Sequence, residues 1–133
     1  DTARSRGLGD VYKRQLRTCA KFGDQFNLDF WHPGGVDVFK HKSKVVEEHC
    51  ESVGRDPSEV KRSVCLPFRL FESENDFREA QGQPWYCWGT TTMIQDTLGE
   101  YIEAGAQEIM LCAIPAKPSA WQRVEEEVLS VFS

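Results

Sequence analysis

The stretch GTTTMIQDTLGEYIEAGAQEIMLCAIP, residues 89–115, decides how this chain folds. Ile94, Leu98, Tyr101 and Ile102 recur on one face at helical spacing, and Gly105 stands where that helix should stop. Residues 108–114, EIMLCAI, then form a nearly continuous apolar run, the pattern of a strand buried on both faces. A helix that leads within a few residues into such a strand is the repeating unit of a parallel sheet covered by helices.

The same rhythm runs outward in both directions. Residues 25–28 and 62–71 read as strands, and residues 36–53 as a long helix. Its apolar positions Val38, Phe39, Val45, Val46, Cys50 and Val53 face inward, while Lys40, Lys44, Glu47 and Glu51 face out. Gly54 ends that helix. Asp56-Pro57-Ser58-Glu59 then places a cap, a proline at the first helical position and an acid three residues after the cap, which predicts one short helical turn. Pro67 cannot donate a ladder hydrogen bond, so its strand is expected at an edge, or bulged there. Residues 73–80 read as a short acidic helix. Residues 16–22 read as the tail of another, with Gly23 expected in the left-handed region behind it. Trp121, Val124, Val128 and Val131 give the last helix an inward stripe. Three strands so spaced form an α/β segment of about three βα units. A full (β/α)8 barrel takes about 250 residues, and 118 follow Gln15.

Residues 1–15, DTARSRGLGDVYKRQ, follow no period and hold no apolar stretch long enough for a signal peptide or membrane span. The closing GDVYKRQ resembles translated sequencing adapter, so the head reads as non-native or disordered and residues 16–133 as the folded segment. Without the head, 12 basic side chains face 19 acidic ones, a net charge of −7. An acidic body without a clustered basic face argues against nucleic acid and anionic membranes as partners and favours a small-molecule substrate.

Five cysteines, Cys19, Cys50, Cys65, Cys87 and Cys112, lie far apart with no CxxC. That spacing fits free buried thiols of a cytoplasmic protein better than a metal site or a disulfide framework. His41 and His49 read as solvated residues of the long helix. The most chemically loaded loop is Asp29-Phe30-Trp31-His32-Pro33-Gly34-Gly35, directly behind a strand. Trp85, Tyr86 and Trp88 either stack on a planar ligand or pack under a loop. Gly89-Thr90 at a helix start has free backbone N–H groups for a phosphate, but the dipeptide is common.

The succession LRTCAKFGDQFNL (16–28), KSKVVEEHCESVGRDPSEVKRSV (42–64) and GTTTMIQDTLGEYIEAGAQEIMLCAIP (89–115), closed by an amphipathic helix, resembles the C-terminal part of luciferase-like monooxygenases. The resemblance implies the last three strands of a (β/α)8 TIM barrel that binds FMN or the deazaflavin coenzyme F420 at the C-terminal ends of its strands. It implies an oxidoreductase or monooxygenase working by hydride transfer or oxygen activation, paired as a homodimer when intact and inactive as this segment alone. The family's glycine-rich turn before the first of these motifs would fall where residues 1–15 stand. The family uses the loop after DQFNL beside substrate and cofactor, which makes Asn27, Asp29, Trp31 and His32 the pocket residues. Trp31 would flank a flat ring and His32 would donate a proton. No catalytic residue follows from the motifs, since neither of the sharpest ones is catalytic. Two other readings stay open: a small acidic α/β module that binds a protein through Trp85–Trp88, and a TIM-barrel enzyme of another chemistry.

Overall fold

The computed structural model describes residues 13–29, 34–80, 87–113 and 118–133, without the side chains of Cys87 and Trp88. In chain order the elements are helix α1 (13–22), β1 (Gln25–Leu28), α2 (Gly35–Ser52), a 3-10 turn (Pro57–Glu59), β2 (Lys61–Leu70), α3 (Glu74–Glu79), β3 (Cys87–Gly89), α4 (Thr91–Glu103), β4 (Glu108–Ala113) and α5 (Pro118–Arg123). A π-helical stretch, Val124–Val128, and a 3-10 stretch, Leu129–Phe132, prolong α5. Among the described residues no helix is long and apolar enough to cross a membrane.

All strand pairs are parallel, and β2 is the centre. Ser63 and Val64 are paired both with β1 (Asn27, Leu28) and with β4 (Glu108, Ile109), so β1 and β4 flank β2 on opposite sides. Phe68 is paired with both Cys87 and Ala113, which puts β3 on the same flank as β1, further along β2. The expectation that Pro67 marks an edge strand is therefore corrected. The bond from Lys61 N–H to the Asp24 carbonyl and that from Phe71 N–H to the Gly89 carbonyl aim odd-numbered backbone groups at the β1/β3 flank. Position 67 shares that phase and falls between the last β1 pair, at Val64, and the first β3 pair, at Phe68. The missing donor thus faces a gap between two strands.

Parallel pairing puts partners' side chains on one face. Phe26 and Leu28, with Val64, Leu66 and Phe68, point to the helices and are buried against Phe39, Val46 and Cys50 of α2, Ile94, Leu98 and Tyr101 of α4, and Val124 and Val128. Phe39 and Tyr101 meet edge to face at 5.7 Å, and Phe68 meets Trp121 likewise at 5.2 Å. Ser43 sits in the buried stripe of α2, and Val53, expected inward, is exposed. Ile102, Trp121 and Val131 are likewise exposed rather than inward.

Helix ends follow the local signals. Gly54 (φ 73°) and Gly105 (φ 95°) take left-handed conformations that close α2 and α4. In each case the next residue's N–H reaches back to the helix, Arg55 to the Cys50 carbonyl and Ala106 to the Tyr101 carbonyl. Asp56 caps the 3-10 turn by accepting from Ser58 N–H at 2.9 Å, and Ser73 caps α3. Gly23 differs: its φ lies outside the left-handed range. Glycine is needed there because a Cβ would stand 2.9 Å from the Cys19 carbonyl oxygen. Arg55 Nη1 caps this end instead, donating to the Ala20 and Gly23 carbonyls at 3.1 and 2.8 Å while its Nε pairs with Glu59.

Candidate functional site

Among the described residues, the helices cover one face of the sheet and leave the other open. On the open face stand Gln25 and Asn27 of β1, Lys61, Ser63 and Cys65 of β2, and Glu108, Met110 and Cys112 of β4. The expectation that β4 is buried on both faces is corrected here. Ile109, Leu111 and Ala113 are half-buried toward the helices, while Met110 and Cys112 are exposed. The reason is positional: β4 has β2 on one side and no described strand on the other.

Asn27 is exposed, and its Oδ1 accepts from Ser63 Oγ at 2.9 Å. That hydroxyl also lies 3.2 Å from the Phe26 carbonyl and accepts from Gln25 Nε2 at 2.7 Å. Gln25 Nε2 lies 3.4 Å from one Glu108 carboxylate oxygen, and Lys61 Nζ pairs with the other. The donors from Lys61 and Gln25, and then the Lys61 charge, hold the Glu108 carboxyl below the ordinary glutamate value. A polar chain thus ties all three long strands at their N-terminal ends. Asp29 follows β1 and is exposed; its charge acts on the Cys65 thiol. Trp31 and His32 lie outside the described residues, as do Trp85 and Tyr86, and of Trp88 only the backbone is described.

The structure therefore brings Asn27 into a cross-strand network with Ser63 and sets Asp29 near Cys65. Toward the C-terminal half of the open face Cys65 and Cys112 meet, sulfur to sulfur, at 3.6 Å. Burial first, then the hydrogen bond with Cys112, its charge and that of Asp29 push the Cys65 thiol up to about 11. Sequence reading by apolar runs passed over Lys61, Ser63, Cys65, Glu108 and Cys112. The signal that marks them is period two: a polar or sulfur-bearing residue at every second position of the long strands, interrupted in β2 by Pro67.

A groove of about 600 Å³, lined by Arg14, Thr18, Cys19, Phe22 and Gln25 among others, runs along α1 and the start of β1. It lies at the N-terminal end of the strand, whereas barrel enzymes place chemistry at the C-terminal ends. The start of α4, behind Gly89-Thr90, is at the right end, but Thr91 Oγ1 donates there to the Glu127 carboxylate at 3.1 Å. A carboxylate in that place repels a phosphate, so this helix start is not a phosphate cradle.

No family model and no curated protein sequence matches this chain. Solved structures do. The coenzyme F420 dependent tetrahydromethanopterin reductase from Methanopyrus kandleri is similar with a TM-score of 0.68 at 14% identity, over 91% of this chain and 49% of that one. A long-chain alkane monooxygenase is similar with a TM-score of 0.69 at 13% identity, over 90% and 38%. Riboflavin lyase, solved with modified FMN and riboflavin, is similar with a TM-score of 0.69 at 10% identity, over 90% and 40%. The chain spans less than half the length of each of these three structures, and at such identities the likeness is one of fold: an α/β segment of a TIM barrel.

Proposed function

We propose that residues 16–133 are the C-terminal three βα units of a luciferase-like, flavin- or deazaflavin-dependent oxidoreductase or monooxygenase acting on a small organic substrate. One observation carries this reading: nine-tenths of the chain takes the fold of proteins described with coenzyme F420 in one case and FMN in another. The open sheet face supports it, because a parallel sheet is ordinarily covered on both faces and a barrel covers the second with its own far strands.

In the intact enzyme, FMN or F420 would lie at the C-terminal ends of the strands and carry the redox step. This segment would supply the loop behind β1, with Asn27 and Asp29 at its root and Trp31 and His32 within it. Trp31 would flank a flat ring and His32 would hold a proton near neutral pH. The phosphate contact would come from outside the described residues. The segment alone is inactive in this reading, and the intact enzyme is a cytoplasmic homodimer. Titration of FMN and of F420 into a longer gene product that includes the upstream strands, with the 133-residue chain in parallel, tests it. Saturable binding by the long form only is the expected result. Binding of either cofactor by neither form overturns the redox assignment and leaves the barrel standing.

A further inference from the structure

We propose that Cys65 and Cys112 form a two-thiol clamp for a single soft, thiophilic centre, a trivalent arsenical or a soft metal cation, on the open face of the sheet. The proposal stands on the geometry of the 133-residue chain; in an intact barrel the same face would line the interior. The two sulfurs are 3.6 Å apart, on neighbouring strands. Two sulfurs each about 2.3 Å from one centre stand roughly 3.3–3.8 Å apart, the short end for a pyramidal trivalent arsenic and the long end for a tetrahedral cation, so both thiols reach a common centre with a shift of a few tenths of an ångström. Cys112 is exposed and Cys65 half-buried, and among the described residues the pair is approached from the open face.

A disulfide does not suit the same pair. Cys65 is in register with Met110, and Cys112 with Pro67, so the two cysteines are diagonal neighbours offset by two residues. With strands about 4.8 Å apart and a rise of about 3.3 Å per residue, the diagonal between their Cα atoms is roughly 8 Å. Cysteines more than about 7 Å apart at Cα are not bridged without moving the backbone. Both strands are held over this stretch by their ladder. The pair is therefore close enough to grip and too far to cross-link. Cys19 and Cys50 do not duplicate it, because Cys50 is fully buried against the core and its sulfur faces the Ala20 carbonyl.

With an organoarsenic(III) oxide the step is a condensation without change of oxidation state. Two As–S bonds form, two S–H bonds and the As=O bond break, and one water leaves. The test is intact-mass analysis of the 133-residue chain treated with a stoichiometric aryl arsenic(III) oxide, with circular dichroism to confirm that the fold is kept. The expected result is one dehydrated adduct per chain, lost in Cys112→Ser and in Cys65→Ser and kept in Cys19→Ser and Cys87→Ser. Cys112→Ser is the deciding variant, since an exposed position tolerates the change. An adduct that persists in folded Cys112→Ser, or no adduct with the unsubstituted chain, overturns the proposal. Treatment with a small aliphatic disulfide is the second arm. Absence of a Cys65–Cys112 cross-link on peptide mapping is expected, and a cross-link in a chain that stays folded overturns the rigid spacing on which the clamp rests.

Discussion

Arg55 holds three things together: the end of α1, the turn after α2 and the 3-10 turn behind it. Its guanidinium serves two carbonyls and one carboxylate at once, a fork that a lysine ammonium does not reproduce. Arg55→Lys is expected to destabilise the chain by about 1.5–3 kcal/mol, the range for hydrogen bonds to charged groups. Urea unfolding checks this, and an unchanged midpoint would mean that the carbonyls find water instead. Glu108 is expected to set part of the acid limb. Its folded-state carboxyl titrates below the ordinary value, so its contribution is present above that value and is lost as the pH falls through the lower, folded one. Glu108→Gln should therefore lower stability at neutral pH and flatten the profile in the acid range, where wild type and variant converge. An identical acid slope in the variant would count against the Lys61–Gln25–Glu108 chain.

At the scale of elements, β2 carries the sheet and Pro67 lies buried within it. Pro67→Ala would introduce an N–H aimed at the gap between β1 and β3, where no described strand offers a carbonyl. A loss of about 1–3 kcal/mol is expected for that unsatisfied donor. A stabilised variant in thermal unfolding would show that water or a strand shift fills the gap. Phe39 tests the helix layer, being fully buried and in edge contact with Tyr101. Phe39→Ala should cost about 3–5 kcal/mol through lost burial and a cavity between α2 and α4. Helix spans and stops were legible in sequence because their signals are local: Gly54, Gly105, Asp56 and Ser73 each act within a few residues. The inward faces were less legible. Ser43 is buried and Ile102 exposed, because the faces of α2 and α4 are set by what they pack on as well as by apolar spacing.

For the molecule as a whole, the described helices bury one face of the sheet; on the other, Ser63 is buried and Cys65 half-buried, while Gln25, Asn27, Met110 and Cys112 are exposed. β1 and β4 each have a single strand neighbour among the described residues. Unpaired parallel edges beside an open face favour association. Sedimentation of the 133-residue chain should accordingly show an average mass that rises with concentration, and a monomer at every concentration would mean that the edges are covered by residues outside those described. Of the candidate pocket, Asn27 and Asp29 were legible as polar residues at the end of a strand. Cys65 and Cys112 were not legible as a pair, because 47 residues separate them and nothing near either one marks the other.

The sequence alone determined the types and order of the main elements, since apolar spacing, caps and glycine stops act over a turn or a strand length. It also pointed to a parallel sheet, because helical stretches link each strand run to the next. The tertiary structure decided that β2 is central, that β3 joins the β1 flank, that one face stays open and that the two thiols meet. Those outcomes depend on register between strands far apart in the chain, which is set by the summed fit of the buried face and has no local signature.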